Sequence, residues 1–152
     1  MRYWEDIAVG DRAAFGRYAV HRDEVLDFAR RFDPQPFHLS DEGAAATHFK
    51  RLAASGWHTC AMTMAMNVEY MQRDGGETAG LGAAGIDELR WLRPVYPGDV
   101  LRCETVVEEV RASNSRPDMG SVRNRMTVLN QDDVAVMTFV AIGLYRRRPV
   151  AA

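Results

Sequence analysis

The 152-residue chain has little cysteine, no excess of charge and no long apolar run, and each absence argues against a class of protein. Its two cysteines, Cys60 and Cys103, stand far apart in apolar patterns, which predicts reduced, buried thiols in a cytoplasmic protein. A formal charge of −2, from 19 basic and 21 acidic side chains, argues against nucleic acid as a partner. The N-terminal residues lack the apolar core of a signal peptide, and we expect no membrane-spanning segment.

The chain does contain enough apolar sequence for one folded domain. Hydrophobic residues make up 47% of it, which is an ordinary share for a globular protein. No repeat, low-complexity tract or linker interrupts the sequence, so we expect a single domain over residues 1–152.

A stiff segment at residues 33–39, DPQPFHL, carries the strongest chemical signal in the chain. Asp33 and His38 lie five positions apart, and two prolines restrict the backbone between them to extended or turn geometry. The preceding pattern predicts a helix over residues 22–32, which Pro34 ends, so the helix delivers Asp33 to the loop. A carboxylate and an imidazole on a rigid loop suit proton-transfer catalysis.

Residues 55–71 predict a long helix that is apolar on nearly all sides and therefore buried. Ser55 is a suitable N-cap for this helix. One apolar stripe runs along it and consists of Trp57, Cys60, Ala61, Met64, Val68 and Met71. A core role is favoured for these side chains, although some of them could line an acyl tunnel.

The rest of the chain predicts β-structure, with strands at residues 12–20, 86–95, 100–111, 122–130 and 134–145. The last strand is almost continuously apolar, which predicts an interior strand covered on both faces. The order strand, short helix, long helix and four-strand meander indicates an α+β fold, in which an antiparallel sheet wraps a long central helix. Such a sheet has two open edges, so we expect a homodimer or a higher homo-oligomer.

Three segments together resemble the MaoC-like dehydratases, a hotdog-fold family that includes the (R)-specific enoyl-CoA hydratases. DPQPFH at residues 33–38 is similar to the family's Asp-x-Asn-Pro-x-His element, with Gln35 in place of the commoner Asn. AASGWHT at residues 53–59 resembles the turn and glycine that open the hotdog helix. DELRWLRPVYPGDVL at residues 87–101 resembles the family's Arg-Pro-Val-x-x-Gly-Asp strand-turn-strand signature. The resemblance implies a single hotdog domain.

The resemblance also implies an active site that hydrates an α,β-unsaturated acyl thioester. Asp33 and His38 would form the acid–base pair, with the two roles not yet divided between them, and the Gly56 backbone N–H would bind the developing enolate oxygen. Gln35 would orient the loop or bond the water. The residues expected to contact substrate are Gln35, Trp57 and His58. We expect no metal, and no cofactor beyond coenzyme A as part of the substrate.

Simpler interpretations remain open for each residue of this site. Asp33 could anchor the turn before Pro34, and His38 could be a loop histidine bonded to backbone. Gly56 could merely permit close packing, and His58 could be a helix-start residue bonded to solvent, which is the favoured interpretation of that residue. The arginine run at residues 146–148 could be a solvated end or could contact the phosphates of coenzyme A. Its rivals for that contact are Arg90, Arg93 and Arg116.

Three functions are compatible with the sequence. The leading one is a hydro-lyase that acts on an acyl-CoA or acyl-carrier-protein thioester. The second is a hotdog thioesterase, which the resemblance associates with a carboxylate on or near the central helix, where only Glu69 occurs. The third is a non-catalytic subunit that binds acyl thioesters, and the presence of both Asp33 and His38 argues against it.

Overall fold

The computed structural model describes residues 1–73 and 78–149. The predicted domain over residues 1–152 also includes residues 74–77 and 150–152, which lie outside the described part. The strands are β1 (Arg12–Ala19), β2 (Gly80–Trp91), β3 (Val100–Ala112), β4 (Met119–Leu129) and β5 (Ala135–Arg146). The α-helices are α1 (Arg22–Phe32), α2 (Asp41–Ala45) and α3 (Gly56–Arg73).

The strands form one antiparallel sheet in the order β1-β3-β4-β5-β2. The predicted four-strand meander is therefore wrong at β2, which pairs with β5 at one edge of the sheet and not with β3. The connection at residues 92–99 closes no hairpin, because its backbone groups bond elsewhere. Leu92 donates to the carbonyl of Val136, and Gly98 donates to the carbonyl of Val20. The connection thus crosses the end of the sheet from β5 to the segment after β1.

Helix α3 packs against one face of the sheet, and its buried side joins the hydrophobic core. Met62 and Met66 on this side belong to one apolar cluster with Leu101, Val128 and Met137, which the strands supply. The predicted arrangement of an antiparallel sheet around a long helix is confirmed.

The opposite side of α3 is open, so the prediction of a helix buried nearly all round is wrong. Trp57 is 59% exposed and Met64 is 56% exposed, and Val68 and Met71 are also exposed. These residues belong to the predicted apolar stripe. One sheet covers only one side of a helix, which leaves this stripe for another surface to cover.

Strand β5 lies inside the sheet between β4 and β2, but it is not buried along its whole length. Val136, Met137 and Val140 are fully buried, whereas residues 141–145 are half-buried. The prediction of a strand covered on both faces is therefore wrong for its second half. The single long helix supplies cover on one face of the sheet only.

Cys60 and Cys103 are both free thiols, and Cys103 is buried as predicted, whereas the prediction of burial is wrong for the half-buried Cys60. Burial raises the pKa of the Cys103 thiol to about 12, and it also raises the pKa of the half-buried Cys60 thiol.

Within the described ranges, no helix is long and apolar enough to span a membrane.

The loop after α1 is held in place by α2, a short helix that the sequence pattern does not predict. The hydroxyl of Ser40 caps α2 by accepting the N–H of Gly43 at 3.0 Å. Gly43 packs so closely on the 3₁₀ turn Pro36–His38 that a Cβ there would lie 2.2 Å from the Pro36 oxygen. Helix α2 thus fixes the turn that carries His38.

Candidate active site

The Asp33 carboxylate lies where α1 ends, and two side chains hold it. The backbone N–H of Asp33 closes the helix by donating to the carbonyl of Ala29 at 2.9 Å. Gln35 Nε2 donates to Oδ1 of Asp33 at 2.7 Å, and Ser55 Oγ donates to Oδ2 at 2.7 Å. Both carboxylate oxygens are therefore fixed, one from within the loop and one from the start of α3.

These hydrogen bonds keep Asp33 ionised. Partial burial raises the pKa of its carboxyl, but the hydrogen bonds from Ser55 and Gln35 and the nearby His38 together lower it by more. The net result is a pKa below the usual value of 3.8. At neutral pH Asp33 is a carboxylate, whose oxygens can only accept hydrogen bonds.

The buried ring of His38 has contacts that define its tautomer. His38 is 4% exposed, and its Nδ1 lies 2.7 Å from the carbonyl oxygen of Ala53. Because a carbonyl can only accept, Nδ1 carries the proton, and in the neutral ring Nε2 keeps its lone pair. Nε2 faces Oδ2 of Asp33 at 3.5 Å.

The facing atoms of this dyad, Oδ2 of Asp33 and Nε2 of His38, are two acceptors when the ring is neutral. They cannot bond each other directly, and Nε2 lacks a donor among the described residues, whereas Oδ2 already accepts from Ser55 and has a second lone pair. A water molecule suits this arrangement, since it can donate one proton to each acceptor. The structure thus brings the two predicted residues into an arrangement that can hold a water and accept its proton.

Ser55 is a site residue that the sequence pattern assigns only as an N-cap. Its hydroxyl does accept the N–H of Trp57 at 3.3 Å, and the side chain is fully buried. The same hydroxyl donates to Asp33, which lies 22 positions earlier in the chain. No local pattern predicts a contact over that separation. The only available signal was the place of Ser55 directly before the glycine that opens the helix.

The backbone of Gly56 opens α3 next to Ser55. A first-turn N–H has no carbonyl partner within its helix, and no acceptor bonds that of Gly56 among the described residues. The 18-residue helix also gives this end a partial positive charge. A free N–H in such a position suits an anionic oxygen.

The other two predicted substrate-contacting residues lie on different sides of α3. Trp57 is exposed, and its ring meets that of Trp91 edge-on at 5.2 Å. His58 is 6% exposed and stacks on Phe28 of α1 at 4.7 Å between ring centroids. Burial lowers the pKa of His58, and the nearby Glu24 only partly offsets this. His58 thus packs α1 against α3, and substrate contact stays a prediction for both residues.

A cavity of about 820 Å³ is lined by Arg116 and by the arginine run at residues 146–148, whereas the other two candidates for phosphate contact, Arg90 and Arg93, lie outside its lining. It lies at the C-terminal end of β5, whereas Trp91, beside Gly56, pairs with the start of that strand. Arg116 pairs with Asp118 at 3.3 Å. The two further pairs in this cluster are Arg147 with Glu5 at 2.9 Å and Arg148 with Asp6 at 2.6 Å. These carboxylates offset much of the positive charge, and contact with coenzyme A stays a prediction.

Comparison with known proteins identifies the family of the chain. A family model described as a MaoC like domain matches residues 8–130. The chain belongs to the MaoC-like dehydratase family. The crystal structure of a MaoC-like dehydratase from Rhodospirillum rubrum is 42% identical in sequence and has a TM-score of 0.86, covering 97% of this chain and 99% of that one. The predicted hotdog fold of this MaoC-like protein is therefore confirmed.

Two curated relatives differ in how much of their length the MaoC-like chain spans. YdeM, an uncharacterised protein of Bacillus subtilis, is 30% identical over 117 residues, which are 77% of this chain and 79% of YdeM. Mesaconyl-CoA hydratase from Cereibacter sphaeroides is 43% identical over 68 residues, which are 45% of this chain. That match spans only 20% of the hydratase, so it concerns a minor part of the larger protein.

Proposed function

We propose that this MaoC-like protein is an acyl-thioester hydratase or dehydratase. It adds or removes water across the α,β double bond of an enoyl-CoA or enoyl-acyl-carrier-protein substrate. The observation that carries the proposal is the dyad of Asp33 and His38, whose facing atoms lie 3.5 Å apart beside the start of α3. The partial match to mesaconyl-CoA hydratase supports the same class of reaction.

In the hydration direction, Nε2 of His38 takes a proton from the bound water while the water oxygen bonds to the β carbon. The π electrons of the double bond move toward the thioester, whose oxygen becomes an enolate oxygen. The proton then passes from Nε2 to the α carbon as the enolate collapses. One water thus supplies both the hydroxyl and the new hydrogen, and dehydration is the reverse sequence.

The base in this mechanism is His38 and not Asp33. The lowered pKa of the Asp33 carboxyl makes it the weaker base, and both of its oxygens already accept hydrogen bonds. Its negative charge instead stabilises the imidazolium that forms when His38 takes the proton. The carbonyl of Ala53 holds the ring so that Nε2 is the atom that reacts.

The enolate oxygen is stabilised at the start of α3. No acceptor in the described part of the chain bonds the N–H of Gly56, so it can donate, and the end of the helix dipole favours negative charge at this point. Ser55 links this donor to the dyad, because it precedes Gly56 directly and bonds Asp33. The acid–base pair and the oxyanion donor therefore share one rigid connection.

The proposal includes a homodimer that covers the open side of α3. Strand β2 is at an edge of the sheet, so one row of its backbone groups has no strand partner in the described chain. Leu81 and Ile86 on this strand are exposed. Trp57 of α3 contacts Trp91 of β2, so the apolar surfaces of the helix and the strand are continuous. A second copy related by a two-fold axis presents the same surface and can bury both.

The thioesterase alternative is less well supported by the geometry of α3. Its single carboxylate, Glu69, pairs with Arg73 at 2.6 Å on an exposed part of the helix. From Gly56 to Glu69 the helix rises by about 20 Å, at 1.5 Å per residue. Glu69 is therefore too distant to act on a thioester whose oxygen binds at Gly56.

An acyl-CoA panel with short, long and branched chains tests the proposed reaction. The hydratase proposal is supported if the wild-type protein removes the enoyl absorbance and the variants Asp33→Asn and His38→Ala do not. Exposed residues of the same types provide matched controls, and Asp27→Asn and His48→Ala should stay active. Release of free thiol from saturated acyl-CoA would replace the proposal with hydrolysis. Binding without turnover of any thioester would indicate a non-catalytic subunit.

A further inference from the structure

Trp91, the last residue of β2, lies across the first turn of α3. Its indole Nε1–H donates to the carbonyl oxygen of Gly56 at 3.0 Å. Its ring also meets the ring of Trp57 edge-on, so two tryptophans enclose the outer flank of this turn. The end of the edge strand is therefore attached directly to the residue that carries the proposed oxyanion donor.

The contact between Trp91 and Gly56 leaves no space for a side chain. A Cβ at Gly56 would lie 2.4 Å from Cε2 and 2.6 Å from Nε1 of the indole, well inside van der Waals contact. Gly56 is also part of a regular α-helix, so its backbone conformation does not require glycine. The indole, rather than the backbone geometry, accounts for glycine at this position.

The direction of the contact links it to the oxyanion donor. In an α-helix the Cα–Cβ bond is tilted toward the N-terminus, which is the end where the Gly56 N–H is free. The indole therefore lies beside that end of the turn. Its hydrogen bond holds the Gly56 carbonyl, which belongs to the peptide group after the donor N–H and is joined to that N–H through the Gly56 Cα.

We infer that Trp91 is a positioning residue for the oxyanion donor, and that Gly56 is glycine because the Trp91 ring occupies the place of a side chain. The inference rests on the proposed hydration of acyl thioesters. It departs from the interpretation in which glycine serves to let substrate approach the backbone. Trp91 itself acts through Gly56 and touches no reacting atom.

The chain contains a matched control for this contact. Trp4 packs on Gly120 in the same way, since a Cβ at Gly120 would lie 2.4 Å from its Nε1. Its Nε1–H also donates to a backbone carbonyl, that of Ser121, at 3.3 Å. Gly120 pairs with Tyr145 near the end of β5, whereas Trp91 pairs with Met137 near its start. The two tryptophan–glycine contacts thus lie at opposite ends of the sheet.

The first experiment compares Trp91→Phe with Trp4→Phe in hydration kinetics. Losing a hydrogen bond that positions the donor should lower kcat of Trp91→Phe about fivefold to tenfold, with KM changed by less than about twofold. Trp4→Phe should lose similar stability in thermal unfolding while its kcat stays within about twofold of wild type. Equal kcat values for the two variants would overturn the positioning role.

The second experiment asks what the glycine accommodates, using Gly56→Ala, Trp91→Ala and the double variant. Gly56→Ala should lower both thermal stability and kcat, the latter by about 100-fold, because the methyl group displaces the turn. The double variant should return to within about threefold of Trp91→Ala, because the space for the methyl group is restored. A double variant whose kcat is no higher than that of Gly56→Ala would show that substrate requires the glycine, which overturns the inference.

The stability measurements separate this inference from the proposed function. A wild-type protein that hydrates no thioester would overturn the proposed function and the positioning role together. Thermal unfolding would still test whether the Trp91 ring occupies the place of a side chain at Gly56. A double variant that is as stable as Trp91→Ala supports this fit, and a double variant that adds the full stability loss of Gly56→Ala contradicts it.

Discussion

Replacing Ser55 by Ala removes the hydroxyl that joins the dyad to α3. Its hydrogen bond to the charged Asp33 carboxylate is 2.7 Å long, and bonds of this kind contribute about 1.5–3 kcal/mol. Its bond from the Trp57 N–H is longer, at 3.3 Å, and an N-cap of this type contributes about 0.5–1 kcal/mol. The free energy of unfolding at pH 7 should therefore fall by about 2–4 kcal/mol in Ser55→Ala.

The part of this loss that involves Asp33 should depend on pH. Because the pKa of Asp33 is lowered in the folded protein, the unfolded chain binds the proton more readily below pH 3.8. The stabilisation is complete well above pH 3.8 and is lost as the pH falls through the folded pKa. Ser55→Ala should thus differ from wild type most at pH 7, and by only about 1 kcal/mol once Asp33 is protonated.

Denaturant unfolding from pH 7 down to well below pH 3.8 measures this difference, and Thr63→Val provides the control. The buried Thr63 hydroxyl donates to the carbonyl of Thr59 at 2.8 Å on the same helix, with no carboxylate bonded to it. Its loss should cost about 1 kcal/mol at every pH. A difference between wild type and Ser55→Ala that stays constant with pH would refute the reasoning.

Three further predictions concern other residues of the account. His58→Phe keeps the stack on Phe28 and removes a buried nitrogen that has no partner among the described residues, so the free energy of unfolding should rise by up to about 1 kcal/mol. Because burial lowers the pKa of His58 from its usual 6.5, the unfolded wild type binds the proton more readily than the folded one, so only the wild type should lose stability through this residue as the pH falls below 6.5. Denaturant unfolding measures both effects, and a destabilised variant would contradict them. Met64→Glu places a charge on the open apolar side of α3 and should give monomers in light scattering, whereas unchanged dimers would exclude this interface. Gln35→Ala removes one hydrogen bond to Asp33 and should move its pKa up toward 3.8 in an NMR titration; an unchanged pKa would show that the bond does not form in solution.

Local signals predicted the local parts of the fold. Helix α1 has the predicted bounds, because its apolar spacing, its terminal charges and Pro34 all indicate the same segment. Strand β2 begins at Gly80 and not at the predicted residue 86. The sequence pattern misses its first half, GLGAAG, because apolar and polar residues do not alternate there. The pairing of β2 with β5 depends on the path of residues 92–99, which bond to groups distant in sequence. Such long-range bonds leave no pattern in either partner.

In the candidate site too, the residues on one local segment could be predicted from the sequence, and those that act through long-range contacts could not. Asp33 and His38 were predictable because both lie on one short loop that prolines stiffen. Ser55 and Trp91 were not, since each acts through a contact with a residue more than twenty positions away. The sequence favours a core role for the apolar stripe that includes Trp57, because an apolar pattern indicates that a surface is covered without showing what covers it.

The most direct test of the central claim is the hydration rate of crotonyl-CoA with wild type, His38→Ala and His48→Ala. Wild type and His48→Ala should hydrate the substrate at equal rates, because His48 is exposed and outside the site. His38→Ala should be slower by about 10²–10⁴-fold, the usual contribution of a general base. A His38→Ala variant as active as wild type would contradict the claim that this imidazole takes the proton from water.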